Sequence, residues 1–281
     1  MALQHLKEYH CPAGLEEALA LLRRSSVRTA PLAGGTLLTA HLDPRVEAVV
    51  DLSRLGLDRI EDAGTELRLG AMVRLDAMAA GALPDRTGRV LAEAARRQPS
   101  WQLRNAATLG GTLVSGAFPE LDAVLWALDA RVALRGESDG TVGFAAFLKE
   151  RDRLPPGTLL TGVTVPVLAA GQGAAAARVS RTPADLPSVS TAAFVERRGD
   201  LCAAVRLVVT GAAERPVRMP VVEQALTGRV WSDTLLDRVP GLIVASVSPP
   251  ADLRGSRAYR RAMLGICAVR ALAAAWSDTA G

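Results

Sequence analysis

The chain has 281 residues, 49% of them apolar, which is enough for a sizeable core in one large domain or in two to three small ones. The formal net charge is +4, with the arginines spread out and only Lys7 and Lys149 as lysines, so the basic stripe a nucleic-acid surface needs is missing. No stretch of 18 or more apolar residues exists to span a membrane, and Cys11, Cys202 and Cys267 are too few and too scattered for an iron–sulfur cluster.

His5, His10 and His41 make no metal-ligand pattern, so no bound metal is expected. The opening residues are broken by Lys7, Glu8, His10, Glu16 and Glu17 and do not read as a secretory signal. An intracellular, cytoplasmic protein with free thiols is the expectation.

Residues 14–24 predict an amphipathic helix with acids early and arginines late, as the helix dipole prefers. Short strands are predicted over 27–33 and 48–52, giving a small α/β unit. Residues 66–75 alternate as a strand, 76–80 start a helix, and 90–97 form another. A helix over 121–128, a strand over 131–135, a short helix over 144–150 and a strand over 158–166 follow. Residues 169–178 hold few bulky apolar side chains and read as a connection between domains. Beyond it, 190–196 and 201–210 predict a hairpin turning at Arg197-Arg198-Gly199-Asp200. Residues 220–228 and 232–247 are predicted helical, and 257–276 form a long final helix.

Two glycine pairs stand out. Pro31-Leu32-Ala33-Gly34-Gly35-Thr36 and Thr108-Leu109-Gly110-Gly111-Thr112 each read as a Gly-Gly turn followed by threonine. Glycine lets main-chain N–H groups approach a ligand, and successive N–H groups in one concavity bind anions. Two such turns suit the two phosphates of a dinucleotide. A Gly-Gly pair is also the ordinary mark of a tight loop. Neither pair is a Rossmann fingerprint or a P-loop, because neither Gly-x-Gly-x-x-Gly nor Gly-Lys-Ser/Thr occurs there.

The flanks carry more. Tyr9-His10-Cys11-Pro12, Leu15-Glu16-Glu17-Ala18, Pro31 to Thr36, Val50-Asp51-Leu52 and Leu67-Arg68-Leu69-Gly70-Ala71 come in that order. They are followed by Gln102 to Gly111, Ala127-Leu128-Asp129-Ala130, Asp252 to Ser256 and Tyr259-Arg260-Arg261. In this order and spacing the chain resembles the FAD-binding medium subunit of the molybdenum hydroxylases, the carbon monoxide dehydrogenase and xanthine dehydrogenase family. The most specific piece is Arg104-Asn105-x-x-Thr108-Leu109-Gly110-Gly111.

The resemblance implies an α+β fold. A two-part FAD-binding domain spans 1–168, with a small N-terminal α/β unit (1–55) and a larger α+β unit (56–168). A C-terminal α+β domain with antiparallel sheet and helices spans 172–281. It also implies cofactor contacts at Leu32, Ala33, Gly34, Gly35, Thr36 and Leu37, and at Thr108, Leu109, Gly110, Gly111, Thr112 and Val114. Glu120 would accept from a cofactor hydroxyl, and Arg178 stands where the family usually has Lys. The family usually has Asn at 112, a polar or acidic residue at 37, and Asp in place of Glu120. Trp101 reads as packing or as a flavin neighbour, Trp126 as core, Asp51 as a turn residue, and Tyr259, Arg260 and Arg261 as anchors of the last helix or its interface.

By the same resemblance the chain carries electrons rather than choosing a substrate, and no catalytic side chain is expected. It would take electrons from a 2Fe-2S small subunit fed by a molybdopterin large subunit, and pass them to NAD, a quinone or oxygen. The alternatives are a stand-alone flavoprotein oxidase or dehydrogenase with its pocket at 112–120, and a non-catalytic member that has lost FAD.

Overall fold

The computed structural model describes residues 6–40, 43–81, 83–98, 100–137, 139–182 and 185–280. The chain divides into two compact units. The first gathers Met1–Ala82, Ser100–Ala117 and Ala130–Val165; the second gathers Leu83–Pro99, Phe118–Asp129 and Pro166–Gly281.

The first unit opens with β1 (Glu8–His10), α1 (Leu15–Leu22), β2 (Thr29–Leu32) and β3 (Ala48–Asp51). The strands form a parallel sheet in the order β1-β3-β2. Parallel strands need a crossover, and α1 supplies it between β1 and β2. It buries Ala18, Leu19 and Leu22 with Val50 and Leu52 of the β3 segment. Next come β4 (Ile60–Asp62), β5 (Glu66–Gly70) and α2 (Leu75–Ala79). Helix α3 (Asp85–Arg96) belongs to the second unit, whereas α4 (Trp101–Ala106) and α5 (Leu109–Ser115) return to the first. After α6 (Pro119–Ala127), again of the second unit, the first is completed by β6 (Arg131–Arg135), β7 (Gly140–Gly143), α7 (Phe144–Glu150), a 3-10 turn (Arg151–Arg153) and β8 (Leu159–Pro166). Its second sheet runs β4-β5-β8-β6-β7.

The second unit is built on antiparallel β9 (Gln172–Val179), β10 (Val189–Arg198), β11 (Leu201–Thr210) and β12 (Val217–Arg218). Then follow α8 (Pro220–Leu226), β13 (Arg229–Val230) on β11, α9 (Asp233–Leu236), α10 (Val239–Ser246) and α11 (Arg257–Asp278). Helix α11 starts at Ser256, whose Oγ accepts from Tyr259 N at 3.2 Å. Its buried residues Leu264, Cys267, Ala268, Ala271, Leu272 and Ala275 recur every three or four positions. That stripe meets Val195, Leu207 and Val209 of the sheet in one core.

Three expectations need correction. Residues 172–179 are not a connection but the strand β9. Their small side chains are what α11 requires: a Cβ on Gly173 would come within 2.2 Å of Ala275 O. The second glycine pair is not a turn; both residues lie in the first turn of α5, started by Thr108. Residues 232–247 form two helices rather than one, and Pro240 stands in the first turn of the second. Helix α4 was not foreseen at all.

Candidate functional site

Strand β2 ends at Leu32, and the chain turns through the first glycine pair. Gly35 has φ +70, a backbone that side chains resist. The turn is closed by Thr39, whose N–H and Oγ both donate to Gly35 O, at 3.1 and 2.7 Å. Gly34 sits against the end of α4: a Cβ there would lie 1.8 Å from Ala106 O. Among the described residues, the N–H groups of Ala33, Gly34, Gly35, Thr36 and Leu37 donate to no atom of the chain. Five consecutive donors without a chain partner need water or a ligand. A concave run of such groups attracts an anion.

The second pair is arranged differently. Thr108 Oγ accepts from Gly111 N at 3.2 Å as the α5 cap. Leu109 N donates to Val73 O and Gly110 N to Ala71 O, both at 2.8 Å, and Thr112 N donates to Thr108 O at 2.9 Å. All four donors are used within the chain. The expectation that both pairs have N–H groups to offer is therefore corrected: of the two, the first alone leaves them without a chain acceptor. Gly110 is glycine for closeness, since a Cβ there would be 2.8 Å from Ala71 Cβ. A Cβ on Gly111 would lie 3.0 Å from the capping Thr108 Oγ1 and in ordinary contact, at 3.7 Å, with Ala33 Cβ. The structure thus brings Ala33 and Gly34 against Ala106, Ala107 and Gly111. Leu109, Gly110 and Thr112 are buried, whereas Leu37 and Val114 leave about two-fifths of their surface exposed.

Glu120 and Arg178 meet each other in the second unit. Glu120 lies in the first turn of α6 and is 3% exposed. Arg178 Nη1 donates to Glu120 Oε2 at 3.1 Å and to Arg97 O at 3.2 Å. Arg97 Nη1 stands 3.8 Å from Glu120 Oε1, which accepts no hydrogen bond. Burial outweighs both arginines and holds the Glu120 carboxyl above its ordinary pKa. Arg97 is a residue that sequence reasoning missed; its one local signal is Glu93 four residues earlier on the same helix.

Asp51 acts as a turn residue, accepting from Ser53 N at 2.8 Å and from the Tyr9 hydroxyl. That bond to Asp51 pushes the Tyr9 pKa up to about 12. Arg260 is buried and donates to Asp252 Oδ1 at 2.5 Å and Gly211 O at 3.3 Å, which anchors α11. Trp101 is 63% exposed on α4, and Trp126 is half-buried. His5 and His41 lie outside the described residues. Among the described residues no three His, Cys, Asp or Glu side chains gather as metal ligands, and no helix is long and apolar enough to cross a membrane.

A run of open N–H donors at the end of a parallel strand, with Gly34 close against a neighbouring helix, is an arrangement able to take up an anionic group such as the diphosphate of a nucleotide cofactor. The residues present fit such a group: the donors are backbone N–H groups without a chain acceptor, and they carry no proton to titrate. The chain belongs to the family described as the FAD binding domain in molybdopterin dehydrogenase, whose model matches residues 4–168. The model of the CO dehydrogenase flavoprotein C-terminal domain matches residues 174–275. The chain is 27% identical over 273 residues to the carbon monoxide dehydrogenase medium chain of Afipia carboxidovorans, covering 94% of this chain and 95% of that one. It is 29% identical over 266 residues to the glyceraldehyde dehydrogenase medium chain of Sulfolobus acidocaldarius, covering 92% and 94%. Among solved structures, a form of carbon monoxide dehydrogenase from Hydrogenophaga pseudoflava lacking the Mo-pyranopterin moiety matches with a TM-score of 0.87 at 28% identity, over 97% of this chain and 98% of that one. The chain is therefore of the medium, FAD-binding subunit type of the molybdenum hydroxylases, a class of oxidoreductases, and its cofactor is FAD. The two-domain α+β fold read from the sequence is the fold of this family.

Proposed function

We infer that this chain is the electron-transfer subunit of a cytoplasmic molybdenum hydroxylase, standing between a 2Fe-2S small subunit and an external acceptor. One observation supports it most: five successive N–H groups, Ala33 to Leu37, with no chain acceptor. These donors bind and orient the cofactor's diphosphate, and the Thr36 hydroxyl adds one more donor. Bound FAD supplies the redox chemistry, accepting electrons from an iron–sulfur partner and releasing them to NAD, a quinone or oxygen.

The chain's own task is position and environment. Leu32, Leu37 and Val114 offer apolar surface, and Thr108, Leu109, Gly110, Gly111 and Thr112 form a stiff wall rather than a second set of donors. Glu120 and Arg178 are assigned to the cofactor's polar groups, Glu120 Oε1 being a buried acceptor that takes no hydrogen bond among the described residues. In this reading residues 1–168 bind FAD and residues 172–281 form the C-terminal domain. The partners are the small iron–sulfur and large molybdopterin subunits. Free thiols at Cys11, Cys202 and Cys267 fit a reducing compartment.

The test is a titration of FAD into the cofactor-free chain, followed by flavin fluorescence and visible absorbance, then reduction by a co-expressed iron–sulfur subunit. Saturable binding and partner-dependent bleaching are expected. A folded chain that takes up no FAD sinks the reading, and bleaching by a small organic substrate without the partner turns it into a stand-alone flavoprotein.

A further inference from the structure

The far end of α5 is closed by a buried arginine. Gly116 takes the left-handed conformation at φ 64 and ψ 18, and its N–H returns to Leu113 O at 3.3 Å. Arg151, from the 3-10 turn after α7, donates from Nη1 to the same Leu113 O at 3.3 Å, and it is 9% exposed. A Cβ at residue 116 would lie 2.4 Å from Arg151 Nη2, 2.8 Å from its Cζ and 3.3 Å from its Nη1. The guanidinium therefore occupies the space a side chain at 116 would take. Backbone angle favours glycine there, and any side chain would also have to displace the Arg151 guanidinium. A fixed positive charge at a helix C-terminus is also favourable, because it meets the carbonyl end of the dipole. Arginine suits the place better than lysine, since its planar fork both packs flat and donates.

The opposite end of α5 is fastened just as firmly. Leu109 and Gly110 donate to Val73 O and Ala71 O, and Leu75 N donates to Ala107 O at 3.0 Å. The helix is thus clamped at both ends. Between the clamps lie Gly111, which faces Ala33, and the exposed Val114.

We propose that Arg151 is a positioning residue for the cofactor: by filling the space over Gly116 and capping Leu113 O, it fixes the tilt of α5 against the donors of residues 33–37, and so sets FAD affinity. This rests on the assignment of α5 to the cofactor wall. Arg151 acts through the helix, and the signature of that action is a loss of affinity out of proportion to the loss of stability.

Five variants separate the outcomes, each measured for FAD affinity, for visible circular dichroism of the bound flavin, and for melting temperature. Arg151→Ala is expected to weaken FAD by roughly tenfold, equivalent to about 1.4 kcal/mol, and to change the flavin dichroism at saturation. Arg151→Lys is expected to recover part of both. Arg260→Lys, at a buried arginine of the second unit, is expected to lower the melting temperature while FAD affinity stays within about twofold of wild type. Val114→Asp tests the wall itself and is expected to weaken FAD. If Val114→Asp weakens FAD but Arg151→Ala does not, the positioning role is overturned and the wall stands. If Val114→Asp binds as wild type, the wall is overturned and this proposal with it. Equal weakening by Arg260→Lys overturns the proposal as general destabilisation. Should Arg151→Ala fail to fold, Arg151→Lys and Gly116→Ala decide: wild-type affinity and dichroism in both overturn it.

Discussion

Gly34→Ala probes the contact on which the candidate site depends. The added Cβ would lie 1.8 Å from Ala106 O, 2.7 Å from Ala106 C and 3.2 Å from Ala107 Cα. A carbon and a carbonyl oxygen in contact sit about 3.3 Å apart, so the glycine turn and the end of α4 must part by roughly 1.5 Å. All three obstructing atoms are backbone, and no rotamer change relieves them. Ala107 also accepts from Leu75 N, so the movement propagates to α2. Forcing a methyl into a filled interior costs about 1–3 kcal/mol. At about 2–4 °C per kcal/mol for a domain of this size, the melting temperature drops measurably. The donors of residues 33–37 move with the turn, and a loss of about 1.4 kcal/mol of their alignment is tenfold in Kd. Gly35→Ala is the comparison. Its Cβ would meet only Leu32 Cδ1 at 3.5 Å and Thr39 Cγ2 at 3.6 Å, so room is ample and only φ +70 opposes it. That costs about 1–2 kcal/mol. The assay is FAD titration with a thermal melt on the same samples. The expected order of affinity is wild type, Gly35→Ala, Gly34→Ala. A Gly34→Ala protein that melts and binds FAD like wild type refutes the close approach, and a more severe Gly35→Ala refutes the primacy of packing over backbone angle.

Three further outcomes are expected. Gly173→Val should destabilise the second unit by about 1–3 kcal/mol, because its Cβ meets Ala275 O of α11; an unchanged denaturant midpoint would show that β9 and α11 do not lie this close. Glu120, raised above its ordinary 4.5 by burial, holds its proton more tightly when folded. The folded state then binds more protons than the unfolded state from about pH 4.5 up to the raised value, so this group makes stability fall as pH rises through that window. Glu120→Gln should flatten that fall in a melt series, and parallel curves for the two proteins would contradict it. Cys202 and Cys267 are fully buried, and burial pushes both thiols up to about 11, whereas Cys11 is part-exposed. Native protein at neutral pH should label at Cys11 alone, and rapid native labelling at either of the other two, read by mass spectrometry, would be the contrary result.

Local signals in the sequence carried much of this architecture. The acids and leucines of α1, the hairpin turn at Gly199-Asp200 and the buried stripe of α11 announce themselves within a few residues. What stayed hidden depends on partners far along the chain. β9 reads as a linker because alanine and glycine lack a strand's bulk, yet the reason for that smallness is Ala275, about a hundred residues later. Glu120 and Arg178 each stand out in the sequence, but not as a pair, since nothing periodic links residues 58 apart. Helix α5 violates propensity outright. Two glycines in a helix cost about 1 kcal/mol each relative to alanine, and what overrides them is the Thr108 cap and the contact with Ala71.

The two glycine pairs look alike in sequence and do opposite things. In the first, the absence of a side chain brings the turn close to α4, and the N–H groups are left open. In the second, the absence of a side chain brings a helix onto the 71–73 segment, and the N–H groups are spent in doing so. The number of glycines cannot distinguish these cases; the destination of the donors can. It follows that substitutions around the two pairs should differ in kind. A change in residues 33–37 alters how firmly the proposed site holds an anion, because it moves donors. In the proposed site a change in 108–114, Thr112 included, alters only where the wall stands, because the N–H groups of residues 109–112 are already committed. On the second side of the proposed site the variable is therefore the position of α5, which Gly110 sets by its closeness to Ala71, and not a count of open donors.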